Sequence, residues 1–145
     1  MYKHVQPFWI FYIGIGFALV SALGVMLKMP APEKWIVLIF MFAIIFLMLA
    51  LFHSLTTVVD AEHLHILFGI GLIKRKIPLS EIRSAVKVRN KWWYGWGIRY
   101  VPSSGWMFNA HGLDALELEF KNGKKFRVGT VEPDALLAAL RDKIG

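Results

Sequence analysis

Two uninterrupted apolar runs at the start of the chain limit its fold more than any other feature. Residues 8–27 read FWIFYIGIGFALVSALGVML, 20 residues without a charge, and residues 35–52 read WIVLIFMFAIIFLMLALF. At ~1.5 Å of rise per residue the first covers the ~30 Å hydrocarbon thickness of a bilayer as a helix, and the second is about as long. Between them, Lys28-Met29-Pro30-Ala31-Pro32-Glu33-Lys34 supplies two prolines and three charges, the chemistry of a tight turn between antiparallel helices. The apolar region of a signal peptide is only ~7–15 residues long, so residues 1–54 are expected to form a transmembrane hairpin with spans at about 8–27 and 35–52. Trp9, Tyr12 and Trp35 fall near the span ends, where amphipathic rings favour the headgroup layer, and Lys28 and Lys34 are placed to snorkel.

Neither span contains Asp, Glu, Lys, Arg or His, which argues against an ion or proton pathway. Gly14, Ala18 and Ala22 recur every four residues and form a small-residue stripe that permits close helix packing, against the second span of the same chain or, alternatively, in a homo-oligomer. Charge is segregated: fourteen of the 17 Lys/Arg and nine of the 10 Asp/Glu follow residue 54. A net charge of +7 favours an anionic partner, lipid headgroups being the nearest candidate. Two spans put both termini on one side, and the tract Lys74-Arg75-Lys76 votes for the cytoplasm. The chain has no cysteine, which excludes disulfides, thiolate metal sites and a cysteine nucleophile.

Beyond His53-Ser54 the pattern changes to short alternating segments. Leu64, Ile66 and Phe68 share one strand face and His63 and His65 the other; Gly69-Ile70-Gly71 offers a reversal into a strand ending at Pro78. Pro78 to Ile82 reads as a bend before a strand over 84–89. Leu116, Leu118 and Phe120 alternate inward, Asn122-Gly123 turns the chain, and Phe126 and Val128 alternate back. Glu117 and Glu119 then lie on a solvated face. Pro133, followed by Leu136, Leu137, Leu140 and Ile144, predicts an amphipathic helix over about 133–144. Residues 55–145 are thus expected to form a mainly β domain, a bent or barrel-like antiparallel sheet of about six or seven strands capped by one helix.

The order Ile77-Pro78-Leu79, Tyr94-Gly95-Trp96-Gly97-Ile98-Arg99, Asn122-Gly123-Lys124, Val128-Gly129-Thr130 and Pro133 before a leucine-rich helix resembles bacterial pleckstrin-homology-like (PH-like) domains of small membrane proteins. The resemblance covers roughly residues 55–144. It implies a seven-stranded, strongly bent sheet with a C-terminal helix, used to bind lipid, peptide or protein and rarely for catalysis. Together with the positive-inside vote, the expected location is the inner membrane of a bacterium with both termini and the domain in the cytoplasm.

Arg89 to Tyr100 is the densest aromatic and basic stretch, with Arg89, Lys91, Trp92, Trp93, Trp96 and Arg99 as candidate contacts. Such a stretch serves as core, as an interfacial patch meeting headgroups, or as a protein-binding hot spot. Basic residues among aromatics also suit single-stranded nucleic acid, but no nucleic-acid motif accompanies them and no such partner is expected. Lys74, Arg75 and Lys76 are a second candidate contact, with a solvated strand edge as the plain alternative. His63 and His65 share a strand face and are weak metal candidates without a third ligand in view. No cofactor is expected, because Gly69-Ile70-Gly71 lacks the rest of a dinucleotide fingerprint, and no Walker, nucleophile-elbow or zinc-protease motif is present. The reading is a non-catalytic, membrane-anchored binding or scaffolding module. The alternative is an accessory subunit or cryptic enzyme using His63, His65 and nearby carboxylates.

Overall fold

The computed structural model describes residues 1–144, and it places a strand before the first helix. Strand β1 (Tyr2–Pro7) is followed by helices α1 (Ile10–Lys28) and α2 (Glu33–Phe52) and strands β2 (Ser54–Val59), β3 (His63–Phe68) and β4 (Ile73–Pro78). These four strands form one antiparallel sheet in the order β1-β2-β3-β4. A second sheet contains β5 (Ile82–Arg89), β6 (Gly97–Val101), β7 (Gly105–Asn109), β8 (Asp114–Phe120) and β9 (Lys125–Gly129), in the order β5-β8-β9-β7-β6. The closing helix α3 (Pro133–Arg141) packs on β5 and β8, and it ends before Ile144.

Among the described residues the fold differs from expectation in three ways. From residue 54 onward there are eight strands rather than six or seven, with β1 as a ninth before the helices. The strands make two sheets rather than one bent sheet or barrel, and β7 runs parallel to β9 where an antiparallel sheet was expected. The break falls where Pro78, which has no N–H to donate to a ladder, leads into a one-turn 3-10 helix at Leu79–Glu81; β4 and β5 are consecutive but unpaired. Strand β1 was missed because its partner lies beyond both helices: Tyr2 pairs with Val59 and Pro7 with Ser54. Cleavage after α1 would remove a whole strand from this sheet, so the paired β1 argues independently against a signal peptide.

The two sheets face each other across one core. Leu55, Val59, Leu64, Ile66 and Phe68 from the first meet Leu116, Leu118, Phe126 and Val128 from the second, and Leu136 and Leu140 of α3 close it. Period-two alternation on β8 and β9 supplies the inward rows, and truncating one such leucine to alanine costs about 2–5 kcal/mol.

The two long helices are packed quite differently. Each has a single buried residue, Ala22 in α1 and Leu38 in α2, whereas a core helix of a water-soluble protein of this length would be mostly covered. Apolar helices of 19 and 20 residues left bare on nearly every face have the length and composition to cross a membrane, and water is a poor solvent for them. Within the Gly14-Ala18-Ala22 stripe only Ala22 is buried, and a Cβ placed on Gly14 would meet nothing within 4 Å. Gly14→Leu is therefore expected to leave both the thermal midpoint in detergent and the elution volume unchanged; a lowered midpoint or a shifted elution would put a helix against that face.

Candidate functional site

A groove of about 790 Å³ opens between β4 and the tips of the β6–β7 and β8–β9 hairpins. Arg75 brings positive charge to its wall, Lys76, Lys124 and Lys125 also line it, Glu81 is the carboxylate among the lining residues, and Tyr100 and Trp106 contribute aromatic surface. The two rings are cross-strand partners on β6 and β7 and pack edge to face at 5.6 Å.

Arg75 is the distinctive residue in this wall. Period two on β4 sends Ile73, Arg75 and Ile77 towards the core and Lys74 and Lys76 outward; accordingly Arg75 is half-buried while both lysines are exposed. Its guanidinium lies 4.4 Å from the centroid of the buried Phe126 ring, a cation–π contact. Among the described residues it forms no ion pair and no hydrogen bond. Burial presses its pKa down from the ordinary value, because removal from water disfavours the charged form. An arginine held this way keeps its planar fork of N–H donors for an incoming carboxylate or phosphate.

The groove lies at the end of the domain away from the long helices. Phe68 packs against Phe8 and Phe52 with ring centroids 6.4 and 5.7 Å apart, so it marks the near end. Strand β4 starts opposite Phe68 and runs away to Pro78, about 17 Å at ~3.3 Å per residue.

The other basic and aromatic candidates go elsewhere. Lys74 stands on the outer face of β4, one register position from the near end. Trp96 is half-buried, and Arg99 donates from Nε to its carbonyl at 3.1 Å. Both line a second, largely apolar crevice of about 570 Å³ where Phe8, Phe11 and Phe52 meet β6. Trp92 and Trp93 form a one-turn 3-10 helix with Tyr94 and are 74% and 60% exposed. Lys91 lies 5.0 Å from the Trp93 ring, and Arg89 ends β5 opposite Asp114. The structure therefore brings Arg75 and Lys76 together with Tyr100, Trp106 and Lys124. It does not bring them to the Trp92–Trp93 turn. The period-two alternation that singles out Arg75 was already present in the tract, but Tyr100 and Trp106 needed the β6–β7 pairing to become visible.

Two polar clusters change the sequence-based picture. Glu117 is buried rather than solvated: it accepts from Lys125 at 2.8 Å and from Arg127 Nε at 2.9 Å, and Arg127 also donates to Asn90 at 3.0 Å. Tyr94 lies over the Arg127 guanidinium at 6.0 Å, so the loop after β5 helps to cover this outer face of the second sheet. Burial by itself would raise the Glu117 carboxyl, but hydrogen bonds from Lys125, Ser104 and Arg127 together outweigh it and bring the pKa down to about 2.

Asp60 joins His63 and His65 as a third donor, with one candidate ligand atom of each within 4.8 Å of the others, a donor set that suits a divalent transition metal. Its present bonding closes a turn. Asp60 Oδ1 accepts from the backbone N–H groups of Glu62 at 2.8 Å and His63 at 2.7 Å, and Oδ2 pairs with His65 Nε2 at 2.8 Å. These bonds, led by the two backbone donors, hold the Asp60 carboxyl well below the usual carboxylate range. Lys76 is the cross-strand partner of His65, and Lys143 donates to the Asp60 carbonyl. Two cations thus flank a cluster that is already hydrogen-bonded, which disfavours a third positive charge there.

Compared with known proteins, the chain matches no family model, no curated protein and no solved structure.

Proposed function

We propose that this chain is a non-catalytic, membrane-anchored binding module of the PH-like kind, in which the two long helices tether the β domain and the groove around Arg75 holds an acidic segment of a protein partner. The single observation that carries the reading is Arg75 itself: an arginine turned inward, stacked on Phe126, and left without an acidic partner among the described residues. Desolvating a guanidinium and then leaving it unpaired is costly, and an incoming carboxylate would offset that cost. Arg75 stands two register positions from the end of β4 nearest the helices, but most of the lining, including Pro78, Glu81, Pro102 and Asn122, lies beyond it, which favours a protein over the anchoring bilayer. Two facing sheets closed by a C-terminal helix, antiparallel except where β7 runs parallel to β9, support the PH-like reading of the fold, and the basic domain supports a cytoplasmic placement at a bacterial inner membrane.

The test is a titration of the full chain in nanodiscs of zwitterionic lipid with a glutamate-rich peptide and its glutamine analogue, over a salt series. The acidic peptide is expected to bind saturably and to weaken as salt rises, with the analogue much weaker. Equal affinity for both peptides would refute an acidic-segment site.

A further inference from the structure

The β3–β4 turn is fastened to the end of the second long helix. Gly69 N–H donates to Ser54 O at 2.8 Å, and Ile70 N–H donates to Ala50 O at 3.0 Å. Ala50 is in the last turn of α2, whose final carbonyls have no partner within the helix, so the turn completes the helix terminus. It also sits at that depth, because Ala50 lies inside the apolar run 35–52. Gly69 permits this contact: it has φ +49°, and a Cβ there would collide with the Ala50 and Leu51 carbonyls.

What the turn displays is unusual for a hairpin tip. Such tips carry Asn, Asp, Ser or Gly, whereas this one carries Ile70 and Leu72, which are 63% and 72% exposed. Lys74 follows on the outward face of β4. Large apolar side chains, glycines for the reversal and a cation one step further out make the layered chemistry of a bilayer interface.

We infer that the Gly69–Leu72 turn is a membrane wedge: Ile70 and Leu72 enter the acyl-chain boundary of the bilayer crossed by the two helices, and Lys74 sits at the level of the lipid phosphates. The inference rests on the reading that the helices span that bilayer. It gives the domain a fixed orientation, with its near end seated in lipid and the Arg75 groove facing outward. Among the described residues no backbone hydrogen bond ties the Trp92–Trp93 turn to a helix end, so it is left out of the wedge.

Because the chain contains no cysteine, single-cysteine variants can each carry one nitroxide label. Ile70→Cys, Leu72→Cys, Phe42→Cys in the middle of α2 and Asn122→Cys in the β8–β9 turn would be reconstituted in phosphatidylcholine–phosphatidylglycerol vesicles and probed by collision with oxygen and with a water-soluble nickel chelate. Labels at Ile70 and Leu72 are expected to favour oxygen, less strongly than Phe42, while Asn122 favours nickel. If Phe42 favours oxygen and both turn positions are as open to nickel as Asn122, the wedge is wrong and the spans stand. If Phe42 also favours nickel, the spanning reading fails and the wedge fails with it.

Discussion

Replacing Glu117 with alanine is expected to destabilise the β domain by about 3–5 kcal/mol, the usual cost of removing one member of a buried ion pair. Arg127 and Lys125 both lose their carboxylate, and Arg127 has only Asn90 Oδ1 left to accept from it. Against a typical stability of about 5–15 kcal/mol that is a large share, to be read as a lowered thermal midpoint of the full chain in detergent. The same group makes stability depend on pH with a definite sign. Its carboxyl is lowered from the ordinary 4.5 to about 2, so its contribution is complete above about pH 4.5 and is lost as pH falls from there towards 2. Asp60, also lowered, acts in the same direction from its ordinary 3.8 downward. The midpoint should therefore fall with acidification in this window, and Glu117→Gln should flatten the response. A Glu117→Ala midpoint equal to that of the unaltered chain would mean that the carboxylate is solvated after all.

The second large effect is expected at Gly69. Gly69→Val puts a β-branched side chain at φ +49° and drives it into the carbonyls of Ala50 and Leu51. Backbone oxygens cannot swing aside as a side-chain tip would, so the hairpin must lift off the helix end. The hydrogen bonds from Gly69 to Ser54 and from Ile70 to Ala50 are then lost. Backbone strain of about 1–3 kcal/mol plus two hydrogen bonds at about 0.5–1.5 kcal/mol each gives roughly 2–6 kcal/mol. The outcome to look for is a midpoint fall together with faster hydrogen exchange at Ile70. Gly71→Ala is the natural control, because its added Cβ would make only an ordinary contact with the Leu67 side chain, leaving φ strain alone. Equal midpoints for Gly69→Val and Gly71→Ala would show that the turn is not pressed against α2.

Local patterns made much of this fold legible in the sequence. The two long helices were visible because an 18- to 20-residue uncharged run has few alternatives, and the β8–β9 hairpin because alternation and Asn122-Gly123 agree. What stayed hidden depends on contacts between distant segments. Strand β1 is short and finds its partner only beyond the helical hairpin, where Gln6, buried, donates to Gly129 O at 2.7 Å. Glu117 looked solvated because alternation reports which face a residue occupies and not what covers it; here Arg127, Asn90 and Tyr94 do. The third donor beside His63 and His65 was Asp60 in the preceding turn, where backbone geometry rather than strand period brings the groups together. In the Lys74-Arg75-Lys76 tract the composition was obvious, yet only the middle residue turns inward, and strand period alone does not show that it meets the Phe126 ring.

The most direct measurement of the central claim compares the unaltered chain with Arg75→Gln, both in zwitterionic nanodiscs, for affinity towards the same glutamate-rich peptide. Arg75 is half-buried with an exposed lysine on each side, so glutamine is not expected to disturb the fold, and an unchanged midpoint would verify this. A charge-assisted contact is worth about 1.5–3 kcal/mol, which predicts at least a tenfold loss of affinity for Arg75→Gln, with Lys74→Gln close to the unaltered chain. Equal affinities for the unaltered chain and Arg75→Gln would contradict the account.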